Sequence, residues 1–199
     1  MKYCILIFIA FLSFSCQKNE KKEIKKKIKT TKINNLFDTI YKKESLIIYG
    51  DSTIDKNKIN YSSIKFEPYI SFNDFPAIKH SIIKNISLDL KSLKEANEFR
   101  TRLKEAFKTD KINFAGHYTF VFWGCGSPCK ISMIIDRLTG KIYESPTSSL
   151  GYEFKPDSRM LIVNPPNENG FYDDCIYCKP IIYVFNEKNK AFDELHSKY

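Results

Sequence analysis

Apolar positions along the chain follow more than one rhythm, and each rhythm names an element. At residues 118–123 every side chain is bulky, aromatic or β-branched, Tyr-Thr-Phe-Val-Phe-Trp. That pattern predicts a strand packed on both faces, near the middle of a sheet. Over 92–108 the period becomes helical, with Leu93, Ala96, Phe99, Leu103 and Phe107 on one side and Ser92 and Glu95 spaced as a capping box. Lys94, Glu98, Arg102 and Glu105 fall on the opposite face, so the segment predicts an amphipathic helix with one solvated side.

Downstream the pattern alternates strand and turn. Ile131, Met133 and Ile135 share one strand face, Gly140 stands at the left-handed position of a loop at 136–141, and the return strand holds Ile142 and Glu144. A second hairpin joins 152–154 to 160–163 through Pro156 and Asp157, and a third joins 181–185 to 191–195. Consecutive hairpins predict an α+β fold: an antiparallel meander sheet with one amphipathic helix packed on a face. The turns resemble those of β-propeller blades, but a propeller needs at least four blades of about 40 residues each, nearly all of 33–199, and that stretch shows no internal repeat. Upstream, 45–49 and 64–72 read as strands, and 33–90 is otherwise the least legible stretch.

The amino-terminal pattern is of another kind. Lys2 precedes an apolar run at 3–14, and Ser15 stands directly before Cys16. This is the pattern of a signal peptide over residues 1–15, its apolar run shorter than the roughly 20 residues of a membrane span. With small residues at Ser13 and Ser15, the segment resembles a bacterial lipoprotein box. It departs from the usual form in having leucine one place early, at Leu12, and Phe14 where a small residue is commoner. The resemblance implies cleavage before Cys16, acylation of its thiol by palmitate or a similar chain, and attachment to a bacterial membrane, the outer membrane being expected. Residues 17–20, Gln-Lys-Asn-Glu, resemble the charged export signal of surface lipoproteins in the Bacteroidota, so both periplasmic and surface-exposed positions stay open.

Charge and cysteine parity bear on the same point. Eight lysines and two glutamates occupy 17–32, a self-repelling tether with little to bury. Setting that segment and Lys2 aside leaves 23 basic and 21 acidic residues, so most of the +9 belongs to the tether. Beside a lipid anchor the basic run reads as a spacer, and no nucleic-acid partner is expected. Of the six cysteines the leader takes Cys4, leaving five. Acylating Cys16 leaves four, an even set for an oxidising compartment, whereas plain secretion leaves a free terminal thiol. The expected organisation is therefore 1–15 leader, 16–32 lipidated cysteine and tether, and 33–199 one globular domain.

Candidate chemistry centres on 113–129, which holds His117, Trp123, Cys125 and Cys129 and three of the seven glycines. Cys125, Cys129, Cys175 and Cys178 admit three disulfide connectivities. Local pairs close short loops worth about 2 kcal/mol each, against about 4 kcal/mol for a crossed pair in the chain-entropy model. The local pairing is nevertheless favoured, because Gly124, Gly126 and Pro128 are placed to bend one loop back on itself. Cys175 and Cys178 also have redox-dithiol spacing, but Asp173 and Asp174 precede them and Pro180 follows, which raises a thiol pKa where a helix N-terminus would lower it. A four-cysteine zinc site competes poorly with disulfides in an oxidising space, so neither metal nor cofactor is expected.

His117 is the candidate general base, with Asp136 or Arg102 as partner. By strand alternation it shares a face with Thr119, Val121 and Trp123, which favours a packed histidine, and Asp136 already serves as the residue opening a turn. Arg100, Arg102 and Trp123 are the candidate binding residues, set against a merely solvated helix face.

The succession Phe99-Arg-Thr-Arg-Leu103, Asn113-Phe-Ala-Gly-His-Tyr118, Trp123-Gly-Cys-Gly-Ser-Pro-Cys129, Ile135-Asp136 and Thr139-Gly140 resembles an uncharacterised family of bacterial secreted proteins and lipoproteins, over roughly residues 90–165. The resemblance implies a cell-envelope location and a single domain, and supplies no reaction. The expectation is a membrane-anchored extracytoplasmic lipoprotein with a non-catalytic binding or envelope-interaction role. The alternatives are a small hydrolase using His117 and a thiol-disulfide redox protein using Cys175 and Cys178.

Overall fold

The structure, a computed structural model, describes residues 38–50, 59–81 and 85–196, all within one compact unit, Asn35–Tyr199. The leader, Cys16 and the lysine-rich tether lie outside the described residues. Among the described residues no helix is long and apolar enough to cross a membrane.

Eleven strands are described: β1 Asp38–Lys42, β2 Leu46–Gly50, β3 Ile59–Lys65, β4 Tyr118–Gly126, β5 Cys129–Asp136, β6 Ile142–Ser148, β7 Tyr152–Phe154, β8 Met160–Val163, β9 Phe171–Asp173, β10 Ile181–Asn186 and β11 Ala191–Leu195. One α-helix, α1 Arg100–Thr109, precedes β4. Every hairpin expected downstream of residue 130 forms: β5 with β6, β7 with β8 and β10 with β11, each antiparallel. Gly140 takes φ +78°, and a Cβ there would lie 2.0 Å from the Ser87 carbonyl oxygen, so the turn admits only glycine.

The single meander does not form. The strands make three sheets, in the orders β1-β2-β3-β9, β4-β5-β6 and β11-β10-β8-β7. The break between β6 and β7 has a local cause at Asn164, a buried residue in the left-handed conformation at φ +53°. Its Oδ1 accepts from the backbone N–H groups of Ser149 and Leu150 at 2.9 and 3.0 Å and from Ser148 Oγ at 2.8 Å. Those amides turn the chain out of the β6 ladder, and β7 begins again in another sheet. A second departure is β9, which leaves its neighbours in sequence and pairs with β3.

Packing explains the long apolar runs. Phe120 of β4 and Ile134 of β5 point to a core shared with Leu161 and Val163 of β8 and Phe185 of β10. Their strand neighbours Trp123, Met133 and Ile135 point the other way, onto Ala96, Leu103 and Ala106. Alternation in β8 likewise sends Met160 and Ile162 to a third cluster with Phe72 and Ile182. The sheet of β4, β5 and β6 is thus covered on one face by the helical segment and on the other by the sheet of β7, β8, β10 and β11. Each of its core strands is hydrophobic at successive positions because both directions are dry. Burial on both faces did not require a central place: β4 is an outer strand of its sheet and β5 is the middle one. Phe122, near the end of β4, remains exposed.

The predicted helix is real but shorter. Ser92 does not cap it. Its hydroxyl donates to the Asp89 carbonyl at 2.6 Å and accepts from the Ile142 N–H at 2.8 Å, so it ties the β6 end to the preceding turn. The 92–108 stretch consequently divides into a 3-10 turn, Lys94–Asn97, and α1, which Phe99 introduces. Both keep the predicted apolar side, through Ala96 and then Leu103, and Ala106, outside the predicted set, is buried with them. The strand expected at 64–72 ends at Lys65. Beyond it Pro68 offers no N–H for a ladder, and Phe66, Ile70 and Phe72 fold inward on the Met160 cluster.

Candidate functional site

The turn at 114–117 positions the histidine. Ala115 and Gly116 both have positive φ, +43° and +80°, which is costly for alanine and is held by surrounding bonds. The Ala115 N–H donates to Ser158 O at 3.2 Å, the Gly116 N–H to Pro156 O at 2.7 Å, and the His80 N–H to Gly116 O at 3.0 Å. A Cβ on Gly116 would lie 2.0 Å from the Ile78 carbonyl oxygen. The strap through Ile78 and His80 therefore lies directly on the turn, and glycine is what lets it approach. Ser158 fastens the strap's start by donating to Phe72 O at 2.7 Å.

Because these two residues leave the extended conformation, strand alternation does not reach His117. It shares no face with Thr119 and Trp123. Its ring stacks obliquely on Tyr118 with centroids 4.1 Å apart and meets His80 edge-on at 5.1 Å. Strap and turn enclose a hollow of about 240 Å³ lined by Pro76, Ile78, His80, His117, Arg159 and Glu187 among others. His117 has 12% of its side chain exposed.

Asp136 is near but committed. Its Oδ1 accepts from the Leu138 N–H and its Oδ2 from Thr139 Oγ1, both at 2.8 Å, as a turn-opening aspartate does. His117 Nε2 stands 3.8 Å from Oδ1, beyond hydrogen-bond length. Burial lowers the imidazole pKa, against the opposing pull of the Glu187 and Asp136 carboxylates. The ring is therefore neutral at pH 7, and the Asp136 contact is a polar approach without an ion pair. His117 Nδ1 is enclosed and has no hydrogen-bond partner.

The rest of the hollow was not foreseen. Glu187 Oε2 accepts from Tyr118 Oη at 2.6 Å and from Lys190 Nζ at 2.7 Å. Tyr118 is wholly buried, and its phenol pKa is raised far above the ordinary value, by burial first and by Glu187 second. Its oxygen consequently stays protonated and anchors the carboxylate. Arg159 donates through Nη1 to the Phe185 carbonyl at 3.2 Å. Among the described residues no carboxylate lies in ion-pair range of its guanidinium. Arg159 and Glu187 flank elements whose pattern speaks only of strand and loop, and His80 falls in the stretch with no readable rhythm. No sequence signal joins the three.

No family model, curated protein or solved structure matches the chain. The site is thus defined by its geometry alone.

The other candidates are dispersed. Trp123 is buried at 7% exposure, its ring 4.7 Å from that of Phe99, and serves the core. Arg102 lines a separate shallow hollow of about 230 Å³ beside Glu105, Asp110 and Trp123, and Arg100 is exposed on the helix. Neither arginine lines the hollow of His117.

The cysteines close locally, Cys125 with Cys129 and Cys175 with Cys178, each pair with Cα atoms 5.1 Å apart. The first bond closes the β4–β5 hairpin and the second a turn after β9. Cys175 opens no helix: its N–H donates to the Asp173 carbonyl, and that of Cys178 to the Cys175 carbonyl. Neighbouring Asp173 and Asp174 accept from Ser63 and Ser62 across to β3, which makes the segment a clamp between strands. Two disulfides fit an extracytoplasmic location. Among the described residues no group of three or more His, Cys, Asp or Glu is arranged to hold a metal.

Proposed function

We propose that the protein is a lipid-anchored extracytoplasmic lipoprotein of a bacterial envelope, held to the membrane through Cys16, whose globular unit binds a small ligand in the hollow beside His117 without transforming it. The observation that carries the binding reading is the lining of that hollow. It sets an apolar wall of Pro76, Ala77, Ile78 and Ala115 beside a few polar groups, the imidazoles of His80 and His117, the guanidinium of Arg159 and the carboxylate of Glu187, as small-ligand sites do. The leader pattern, the cysteine parity and the resemblance of 90–165 to secreted proteins and lipoproteins support the anchored location, with the outer membrane as the site of attachment. Both local disulfides fit that compartment.

Mass spectrometry of the protein from fractionated cells tests this reading. The expected species lacks residues 1–15, carries acyl chains on Cys16, keeps both disulfides and sediments with membranes. A soluble chain with its leader intact and all thiols reduced would refute it.

A hydrolase using His117 is the second reading, favoured by the 3.8 Å approach to Asp136 and by the lowered imidazole pKa. It requires His117 to activate water directly. An ester or amide turnover abolished by His117→Gln and unaffected by Arg100→Gln, on the exposed helix outside the hollow, would establish it. The redox reading is disfavoured by the position of Cys175 outside any helix N-terminus.

A further inference from the structure

We infer that the hollow beside His117 is a binding site for a small monocarboxylate with a short branched or apolar body, the carboxylate being received by Arg159. This rests on the binding reading above and names its ligand class. Three observations meet here.

The first is charge. Glu187 is already balanced, since Oε2 receives Lys190 at 2.7 Å and Tyr118 at 2.6 Å. Arg159, half-buried, has one guanidinium donor engaged by a neutral carbonyl and no acidic partner in ion-pair range among the described residues. Of the two charged side chains that line the hollow, Glu187 is thus engaged, while Arg159 keeps guanidinium donors without an acidic partner, on a planar fork that matches a carboxylate. The buried imidazole of His117, neutral at pH 7, adds no charge.

The second observation is the apolar wall. Pro76, Ala77, Ile78 and Ala115 line the same hollow, and Ile78 is 80% exposed although the strap is tied down on both sides of it, at Ala77 N–H to Asp157 O and His80 N–H to Gly116 O. A large aliphatic side chain held in water by a fixed backbone gains when a ligand's carbon body covers it. The third is size. A hollow of about 240 Å³ has room for a branched acid of a few carbons and is small beside the roughly 300–1,000 Å³ clefts that take drug-sized ligands. The strained Ala115 and the partnerless His117 Nδ1 sit in the same turn. Backbone and polar costs of this kind gather at functional sites.

Calorimetric titration of the full chain at pH 7 with isobutyrate, isobutyramide and isobutylamine tests the assignment, since the three share a body and differ in charge. Isobutyrate should bind at least about tenfold more tightly than the other two, as a charge-assisted bond predicts. Arg159→Gln should remove that preference and Arg159→Lys retain part of it. Ile78→Ser, at a position exposed enough to leave folding unchanged, should weaken isobutyrate about fivefold with the same thermal midpoint. Equal binding of acid and amide, preference for the amine, undiminished binding by Arg159→Gln, or no binding of isobutyrate would each overturn it. The lipid anchor is tested separately at Cys16, so failure here leaves that part of the reading standing.

Discussion

Asn164→Ala should unfold the corner between β6 and β7 far more readily than a typical single-residue truncation. Two half-buried backbone amides, Ser149 and Leu150, lose the acceptor that now receives them at 2.9 and 3.0 Å. Ser148 Oγ does not, because it also has the Gly151 carbonyl at 2.7 Å. Each stranded amide costs about 1 kcal/mol, the low end for groups that water partly reaches. Alanine also tolerates the +53° φ less well than asparagine, at about 1 kcal/mol. The expected total is about 3 kcal/mol, a fall of about 10 °C in thermal midpoint for a chain this long. Urea unfolding followed by fluorescence measures it. Two companions separate the contributions: Asn164→Gly relieves the backbone and should lose about 2 kcal/mol, while Asn164→Asp keeps the acceptor and should lose about 1 kcal/mol or less. A loss under about 1 kcal/mol for Asn164→Ala would refute the account of the corner as side-chain-directed.

Three further outcomes are expected. Leu103→Ala, at a fully buried position between α1 and its sheet, should cost about 2–5 kcal/mol in urea unfolding. Gly116→Ala should release the strap, since its methyl meets the Ile78 carbonyl. The check is faster amide exchange at His80, whose N–H donates to Gly116 O. His117 should make stability fall with acid. Its folded pKa lies below the ordinary 6.5, so as pH drops through 6.5 the unfolded chain takes up the proton first. The loss is complete once pH has passed below the folded value, and above 6.5 the group contributes no slope. His117→Gln should flatten the difference between urea midpoints at pH 7.5 and pH 5.

Local patterns travelled well from sequence to structure where a few adjacent residues suffice. The β5–β6 turn forms around Asp136 and Gly140 because both its bonds and its φ are satisfied within six residues. The same holds for the loop that Cys125 and Cys129 close. Reading failed where one residue had a remote alternative. Ser92 looked like a helix cap, but the Ile142 N–H, fifty residues away, competes for its hydroxyl. His117 looked like the next residue of a strand, but the positive φ of Ala115 is stabilised only by Ser158 and Pro156 beyond.

The order of apolar and polar residues by itself determined the hairpins and the apolar side of the helix, because each depends on periodicity or on closing a short loop; it left three cysteine pairings open, and the fold decided for the local one. Tertiary structure alone decided how the hairpins sort into three sheets and which side chains meet at the hollow. Arg159, Glu187, His80 and His117 converge from four separate segments. Their proximity comes from the packing of two sheets and a strap around a shared core, a sum of many non-directional apolar contacts that leaves no periodic trace in any one segment.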